Sequence, residues 1–488
     1  MSGFDVPLFV RGQLIEGDWV EYGGRGSTGA FRAPDPAKYV EQLPLASPMD
    51  LADLYEISFE EILDLLEELG KNLDFEKNPY IQGAFEAGLR ASNYPASILK
   101  NSYLALPFVF QREQVREIAE QRIGIDYLEG WVHETLQDGR ELNIRAFGAR
   151  TVHIPAGNGG LVSAVTIIRN AITRSDAIVK VPSNDPLTAM AIARTLGDIA
   201  PDHPLTRHLS VAYWKGGDVT VEEALYRPEN IEKIVAWGGY ASVKHVTRYI
   251  QPGLEMIGLD PKRSATIIGP EALEDEETMR EVATRAACDI GVANQEACAS
   301  ARVIYVLSGT DPEALAKVNR LGELIYEALQ NLPEHISTPA KNFDRELRDH
   351  LDATRLDDTF YRVIGGKGNE GAIVVSQLDE PVDWSAMLSG RVANLVPVDD
   401  IERVTRAVNA YTQTVGIYPE SLKRELRDRL PLFGAQRLTS LGYACHVSVA
   451  MPQDAMEPLR RMCKWIVEER CDPEKVFPMW KAGESGEG

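Results

Sequence analysis

The chain has 488 residues, 44% hydrophobic and 25% charged, the balance of a globular protein too long for one compact core. Its formal charge of −22 disfavours non-specific nucleic-acid binding, which needs a basic footprint, yet leaves room for an anionic cofactor at a local lysine or helix start. Five cysteines without CxxC spacing and eight histidines without an HExxH pattern argue against disulfides, against a metal site and for a reduced, cytoplasmic setting.

Residues 1–50 are rich in Gly and Pro and read as short strands and loops, with no signal peptide and, along the whole chain, no membrane span. "PMDLADLYEISFEEILDLLEELGKNL" has apolar residues at helical spacing and reads as one amphipathic helix. "NYPASILKNSYLALPFVFQREQVREIAEQRI" continues helically, broken at its prolines. "GWVHETLQDGRELNIRAFGARTVHIPAG" alternates and carries turn signals, which predict strands and a hairpin.

Four strand–helix units follow: "TVHIP" with "LVSAVTIIRNAITR", "DAIVKVP" with "PLTAMAIARTLGDIA", "LSVAYWKG" with "VEEALYR", and "IEKIVAWG" with "ASVKHVTRYI". This α/β pattern predicts a doubly wound parallel sheet with ligands at the carboxyl ends of its strands. A second α/β region begins near "SATIIGPEAL" and includes a helix over "PEALAKVNRLGELIYEALQN" and a strand over "GAIVVSQL". "LPLFGAQRLTSLGYACHVSV" reads as a loop and closing strand, and "KAGESGEG" as a frayed tail.

Cys298 lies in "NQEACASAR", where the chain turns from a helix toward the strand "RVIYVL". A cysteine is more often a buried packing residue, but the polar turn "GVANQ" brings an exposed nucleophile beside free backbone N–H groups level with that reading. Cys288, Cys445, Cys463 and Cys471 read as structural. In "HIPAGNGGLVSA" Asn158 is a candidate oxyanion donor, and Pro155, Gly157 and the later glycines let a substrate or nicotinamide approach the backbone. Gly238 and Gly239 open a helix after a strand, a natural pyrophosphate position as well as an ordinary turn. Lys180, with Ser183 after it and no acid before Asp185, suits a ribose or a 2′-phosphate, although a lone lysine is more often a solvated surface residue. "VIGGKGNEGAIVV" leads into a strand and is no phosphate loop, and His153, His245 and His446 read as packing or surface residues.

In order and spacing these segments resemble the aldehyde dehydrogenase superfamily, and within it the LuxC-type long-chain acyl-CoA reductases, from about residue 130 to 450. "NQEACASARVIYV" is similar to the superfamily's nucleophile segment, "HIPAGNGG" to its oxyanion asparagine segment, "IVKVPSND" to its adenosine-ribose lysine segment and "VAWGGYASVKHV" to its pyrophosphate turn. "GLDPKRSATII" resembles the linker into the catalytic domain. The superfamily's hydrolytic members carry Glu-Leu-Gly-Gly-Lys upstream of the cysteine; here "EMIGLDPKRS" puts Gly258 at the Glu, Lys262 at the Lys and Glu255 out of register. Without that base a thioester on sulfur outlives attack by water.

The resemblance implies a Rossmann-type cofactor domain with the N-terminal segment over 1–262 and an oligomerisation hairpin near 131–152. It further implies a catalytic domain over 263–445 and a C-terminal segment, 446–488, that returns to the cofactor domain or oligomer interface. It implies reduction of an acyl thioester, such as acyl-CoA, to an aldehyde through Cys298, with NADPH favoured over NADH, and a homodimer or homotetramer that receives acyl groups from an acyl-protein synthetase. The alternatives are a CoA-acylating aldehyde dehydrogenase running oxidatively and a cysteine acyltransferase or thioesterase without redox chemistry.

Overall fold

A computed structural model describes residues 3–23 and 29–481; the tail expected to fray lies, beyond Lys481, outside the described residues. The expected strand–helix alternation folds into a seven-stranded sheet. Its order is Glu255–Leu259, Lys233–Trp237, Arg150–Ile154, Asp176–Lys180, Leu209–Ala212, Leu8–Val10 and Gln13–Ile15. The first five are parallel and the last two, supplied by the N-terminus, are antiparallel. Chain order reverses at Arg150–Ile154, so the crevice at its carboxyl end is the switch point of a doubly wound sheet.

Helices Gly160–Ile172 and Thr188–Ile199 cover one face, and Val219–Leu225 with Tyr240–Val246 the other. Helix Gly160–Ile172 is buried at every position from Ser163 onward, because Phe59–Asn72 and Arg112–Arg122 pack over it, and its buried polar residues Thr166, Arg169 and Asn170 are hydrogen-bonded. The long amphipathic run splits. Pro48–Tyr55 is a 3-10 helix, and Ser58 starts a separate helix, Phe59–Asn72, with a capping box to Glu61.

The hairpin is Val132–Thr135 with Glu141–Phe147, and Arg150–Ile154 after it is the first parallel strand of the large sheet, as its strand–helix pattern predicts. Lys464–Arg470 adds the third strand of this small sheet by pairing with Glu141–Phe147. A second seven-stranded sheet runs Tyr361–Gly365, Ala372–Ser376, Val392–Val398, Ala301–Leu307, Arg263–Ile268, Thr412–Tyr418 and Arg437–Ser440, all parallel except the first pairing. Helices Glu276–Gly291 and Pro312–Gln330 pack on it. Cys298 immediately precedes its central strand, Ala301–Leu307.

The N-terminus is locked to the first sheet by buried charge. Arg11 Nη1 donates to Asp176 Oδ1 at 2.5 Å, and His208 bridges that oxygen, 3.0 Å from its Nδ1, to Asp53 Oδ1, 2.8 Å from its Nε2. Removing one member of a buried set strands the others in low dielectric. Asp176→Ala is expected to lower stability by about 3 kcal/mol, read as a fall in the urea midpoint at unchanged slope.

Candidate active site

The nucleophile segment takes a shape that L residues rarely adopt. After helix Glu276–Gly291, Ala293, Asn294 and Gln295 have φ of 53°, 52° and 65°. Left-handed backbone costs roughly 1–2 kcal/mol per side-chain-bearing residue, so neighbours must hold it. Gln295, fully buried, donates Nε2 to Ala301 O at 2.8 Å and Val392 O at 2.9 Å, and its Oε1 accepts the Val392 N–H at 3.0 Å. Asn294 Oδ1 accepts the Thr338 N–H at 2.9 Å. Arg302 donates to the carbonyls of Gln295, Ser300 and Leu388, and Ser264 Oγ donates to Cys298 O at 2.7 Å.

Cys298 is half-buried. Burial pushes its thiol above the ordinary value, a hydrogen bond from Gln413 pulls it down, and the charge of Asp454 pushes it up. Gln413 Nε2 also donates to Asp454 Oδ1 at 2.7 Å. Neither Gln413 nor Asp454 figures among the candidates read from the sequence: they lie 115 and 156 residues beyond the cysteine (413 − 298 and 454 − 298) in segments without a motif. Cys445, expected to be structural, also comes near, its Sγ 3.7 Å from Ser300 Oγ and its thiol pushed up to about 11 by burial. Asp289 brings it there by accepting the Gly442 and Ala444 N–H groups at 3.0 and 2.8 Å. Cys463 is buried, whereas Cys288 is half-buried and Cys471 exposed, so these two depart from a purely packing role.

Asn158 meets this loop from the first sheet: its Nδ2 lies 3.5 Å from Glu296 O, two residues before the sulfur. The Tyr94 hydroxyl donates to Asn158 O at 2.7 Å, and Asn158 Oδ1 is buried without a partner. A Cβ at Gly157 would meet Asn184 Oδ1 at 2.0 Å, so a side chain there would displace Asn184, whose Nδ2 donates to Gly157 O at 2.7 Å. Pro155 is buried at the strand's end. A cavity of about 590 Å³ opens beside Asn158, lined also by Asn184, Asn294 and Phe343.

The remaining candidates sit at neighbouring strand ends. Lys180 is largely buried rather than solvated. Its Nζ lies 5.5 Å from the Trp214 ring centre and 5.9 Å from that of Tyr213, and burial lowers its pKa to about 8, against the charge of Glu222. Glu222 is held by His245 Nε2 at 2.6 Å, Tyr249 Oη at 2.9 Å and the Gly217 N–H at 3.1 Å. Ser183 lies in the turn after Lys180, and Asp185, two residues on, is buried and accepts from Thr188 Oγ1. Gly239 starts helix Tyr240–Val246 with nothing within 4 Å of where a Cβ would stand, and Gly238 has only Ser242 Cβ at 3.8 Å. This open backbone, with a buried cation two strands away, fits a phosphate-bearing dinucleotide.

Gly258, aligned by the resemblance with the hydrolytic Glu, lies in strand Glu255–Leu259, and Glu255 is spent on Lys233 and Arg461, both at 2.7 Å. His153 is buried, with its pKa lowered to about 4 by desolvation. In "GGKGNEG" Glu370 itself accepts the Lys367 and Gly368 N–H groups at 2.9 and 2.7 Å, so that loop offers an anion nothing. Among the described residues no group of three or more His, Cys, Asp or Glu could hold a metal.

Because the Cys298 thiol is raised, its thiolate fraction is expected to keep growing above pH 9. The rate of iodoacetamide alkylation against pH, with the Cys298 peptide followed by mass, checks this. Gln413→Leu should slow alkylation at neutral pH about three- to tenfold by loss of one hydrogen bond, and Asp454→Asn should speed it.

A family model described as acyl-CoA reductase (LuxC) matches residues 54–465. The chain is 28% identical over 478 residues to a long-chain acyl-protein thioester reductase of Vibrio harveyi, covering 95% of this chain and 93% of that one. It is 32% identical over 335 residues to the enzyme so named of Photorhabdus laumondii, covering 68% and 66%. Its fold is similar to that of lactaldehyde dehydrogenase from Escherichia coli, with a TM-score of 0.69 at 15% identity over 96% of this chain and all of the other. Because the family model spans most of its length, the chain belongs to the acyl-CoA reductase (LuxC) family.

Proposed function

We propose that the protein reduces an acyl thioester to an aldehyde by way of an acyl group carried on Cys298. The observation that carries this reading is the meeting of Asn158 with the Cys298 loop across the two sheets; the resemblance adds Gly258 where hydrolytic relatives carry their base. The names of the relatives support an acyl thioester as substrate, with long-chain acyl groups favoured.

Cys298 thiolate adds to the thioester carbonyl. The charge that develops on oxygen meets Asn158 Nδ2, whose present bond to Glu296 O is long and easily exchanged, and the Cys298 backbone N–H, which already points at its own sulfur. The donor's thiolate departs and takes up a proton, leaving the acyl group on Cys298. A nicotinamide cofactor, when bound, supplies hydride; Lys180, Ser183, Gly238 and Gly239 would hold it, with Pro155 and Gly157 beside its path. The same two donors hold the oxygen until the carbon–sulfur bond breaks and aldehyde leaves. With Gly258 bare and Glu255 tied up, no carboxylate at that position readies water against the acyl group.

NADPH is the cofactor favoured here: Lys180 is a buried cation, Ser183 is neutral, Asp185 turns to Thr188, and Glu222 is engaged by three donors. The chain then divides into a cofactor portion to residue 262, a catalytic portion over 263–445 and a C-terminal segment. The three-stranded sheet ending in Lys464–Arg470 serves assembly into a dimer or tetramer, in a cytoplasmic enzyme supplied by an acyl-protein synthetase. No helix among the described residues is long and apolar enough to cross a membrane.

Mixed with acyl-CoA and no nicotinamide, the protein is expected to gain an acyl mass on the Cys298 peptide, which NADPH then discharges as aldehyde. Asn158→Ala should slow that loading about 10²-fold or more, as loss of one oxyanion donor does. Absence of any adduct would end this reading. Lys180→Ala should raise KM for NADPH more than for NADH; equal effects would count against a phosphate contact at Lys180.

A further inference from the structure

The oxyanion donor sits on a loop that cannot place it alone. Asn158 lies between strand Arg150–Ile154 and helix Gly160–Ile172, flanked by Gly157 and by Gly159, whose φ is 135°. Glycine on both sides leaves the backbone many conformations and no side chain to choose among them. The bond from Asn158 Nδ2 to Glu296 O, 3.5 Å long, is given up when the donor turns to the developing charge. Its position at that moment has to come from the main chain.

Two side chains grip that main chain at successive carbonyls. Tyr94 Oη donates to Asn158 O and Asn184 Nδ2 to Gly157 O, both at 2.7 Å. Both bonds leave the Asn158 carboxamide free. Each gripping residue is itself fixed. Tyr94 is 8% exposed, and burial raises its phenol well above the ordinary value, so the hydroxyl keeps the proton it donates. Its turn is tied to the second sheet's side of the site: Lys341 Nζ donates to the carbonyls of Leu89 and Ser92, and Asn342 Nδ2 to Asn93 Oδ1 at 3.2 Å. Asn184 stands in a turn closed by the Asp185 N–H on Pro182 O at 3.2 Å. Asp185 in turn accepts from Thr188 Oγ1, which meets Tyr103 Oη at 2.8 Å. A donor that serves a transition state needs supporting bonds that hold it to within about 0.5 Å. A phenylalanine at position 94 would fill the same space, so packing alone does not call for the hydroxyl.

We infer that Tyr94 and Asn184 are positioning residues for the oxyanion donor, fixing through the carbonyls of Asn158 and Gly157 where Asn158 Nδ2 stands as the acyl group loads onto Cys298. The inference rests on the reading of Cys298 as the acylated residue and of Asn158 as a donor. Both residues also border the cavity, where a direct contact with substrate would alter half-saturation rather than the maximal rate.

The test is a double-mutant cycle on loading, the gain of acyl mass on Cys298 of the full-length protein with decanoyl-CoA and no nicotinamide. With nicotinamide left out, nothing that Asn184 does for the neighbouring cofactor turn enters the rate. Tyr94→Phe and Asn184→Ala should each lower the maximal loading rate about tenfold and leave the half-saturating concentration within about twofold. In an Asn158→Ala background each should change the rate by less than about twofold, because the group they place is gone. Tyr94→Phe keeps the ring and spares the fold, so its result stands even if Asn184→Ala proves unstable in a thermal melt. Unchanged loading in Tyr94→Phe, a change confined to half-saturation, or a loss just as large in the Asn158→Ala background overturns the inference and leaves the Cys298 reading intact. Asn158→Ala loading at the wild-type rate removes the donor role and this inference together. A wild type that gains no acyl group overturns the Cys298 reading and the inference with it.

Discussion

Everything at this site depends on one side chain, the buried amide of Gln295. Its three hydrogen bonds to Ala301 and Val392 bind a left-handed turn to the strands at the middle of the second sheet. Without them the turn at Ala293–Gln295 has no reason to keep a backbone that each of its residues disfavours. The turn sets where Cys298 emerges, and Arg302 and Ser264 fix the carbonyls on either side of it. The precision of the nucleophile comes from a frame that is spent wholly on backbone.

That frame sets a chemical compromise. A sulfur sunk beside Asp454 is protected from adventitious oxidants and alkylators, because its thiol holds its proton. The same burial strengthens whatever hydrogen bonds reach the reacting oxygen, since they act where water is scarce. Gln413 stands between the two demands, bonded to the sulfur and to the carboxylate that opposes its ionisation. Lys180 repeats the pattern: desolvation makes its charge costly, and aromatic rings with the engaged Glu222 carboxylate compensate.

What was legible in the sequence was what is local. Strand–helix alternation from Thr151 to Ile250 announces a parallel sheet because each unit closes within some thirty residues, and the segments around Asn158, Lys180 and Gly238 read off its strand ends. The Cys298 turn shows itself through polar residues packed between helix and strand. What stayed hidden depends on distant pairing. Asp454 and Gln413 reach the sulfur only through tertiary folding, and Cys445 arrives because a loop caps the carboxylate of Asp289. The break at Ser58 was masked by apolar spacing that continues through it, although its capping partner Glu61 was in plain view.

The small sheet carries a consequence for how the chain is made. Asn143 and Glu468 face each other across it although 325 residues separate them. During synthesis both seven-stranded sheets can gather their strands while the C-terminal segment is still emerging, but the hairpin Val132–Thr135 with Glu141–Phe147 keeps an open edge until Lys464–Arg470 emerges. An unpaired edge is the surface through which chains associate wrongly. From Phe147 until Lys464–Arg470 is made, the chain therefore carries an unpaired strand edge that the finished fold covers.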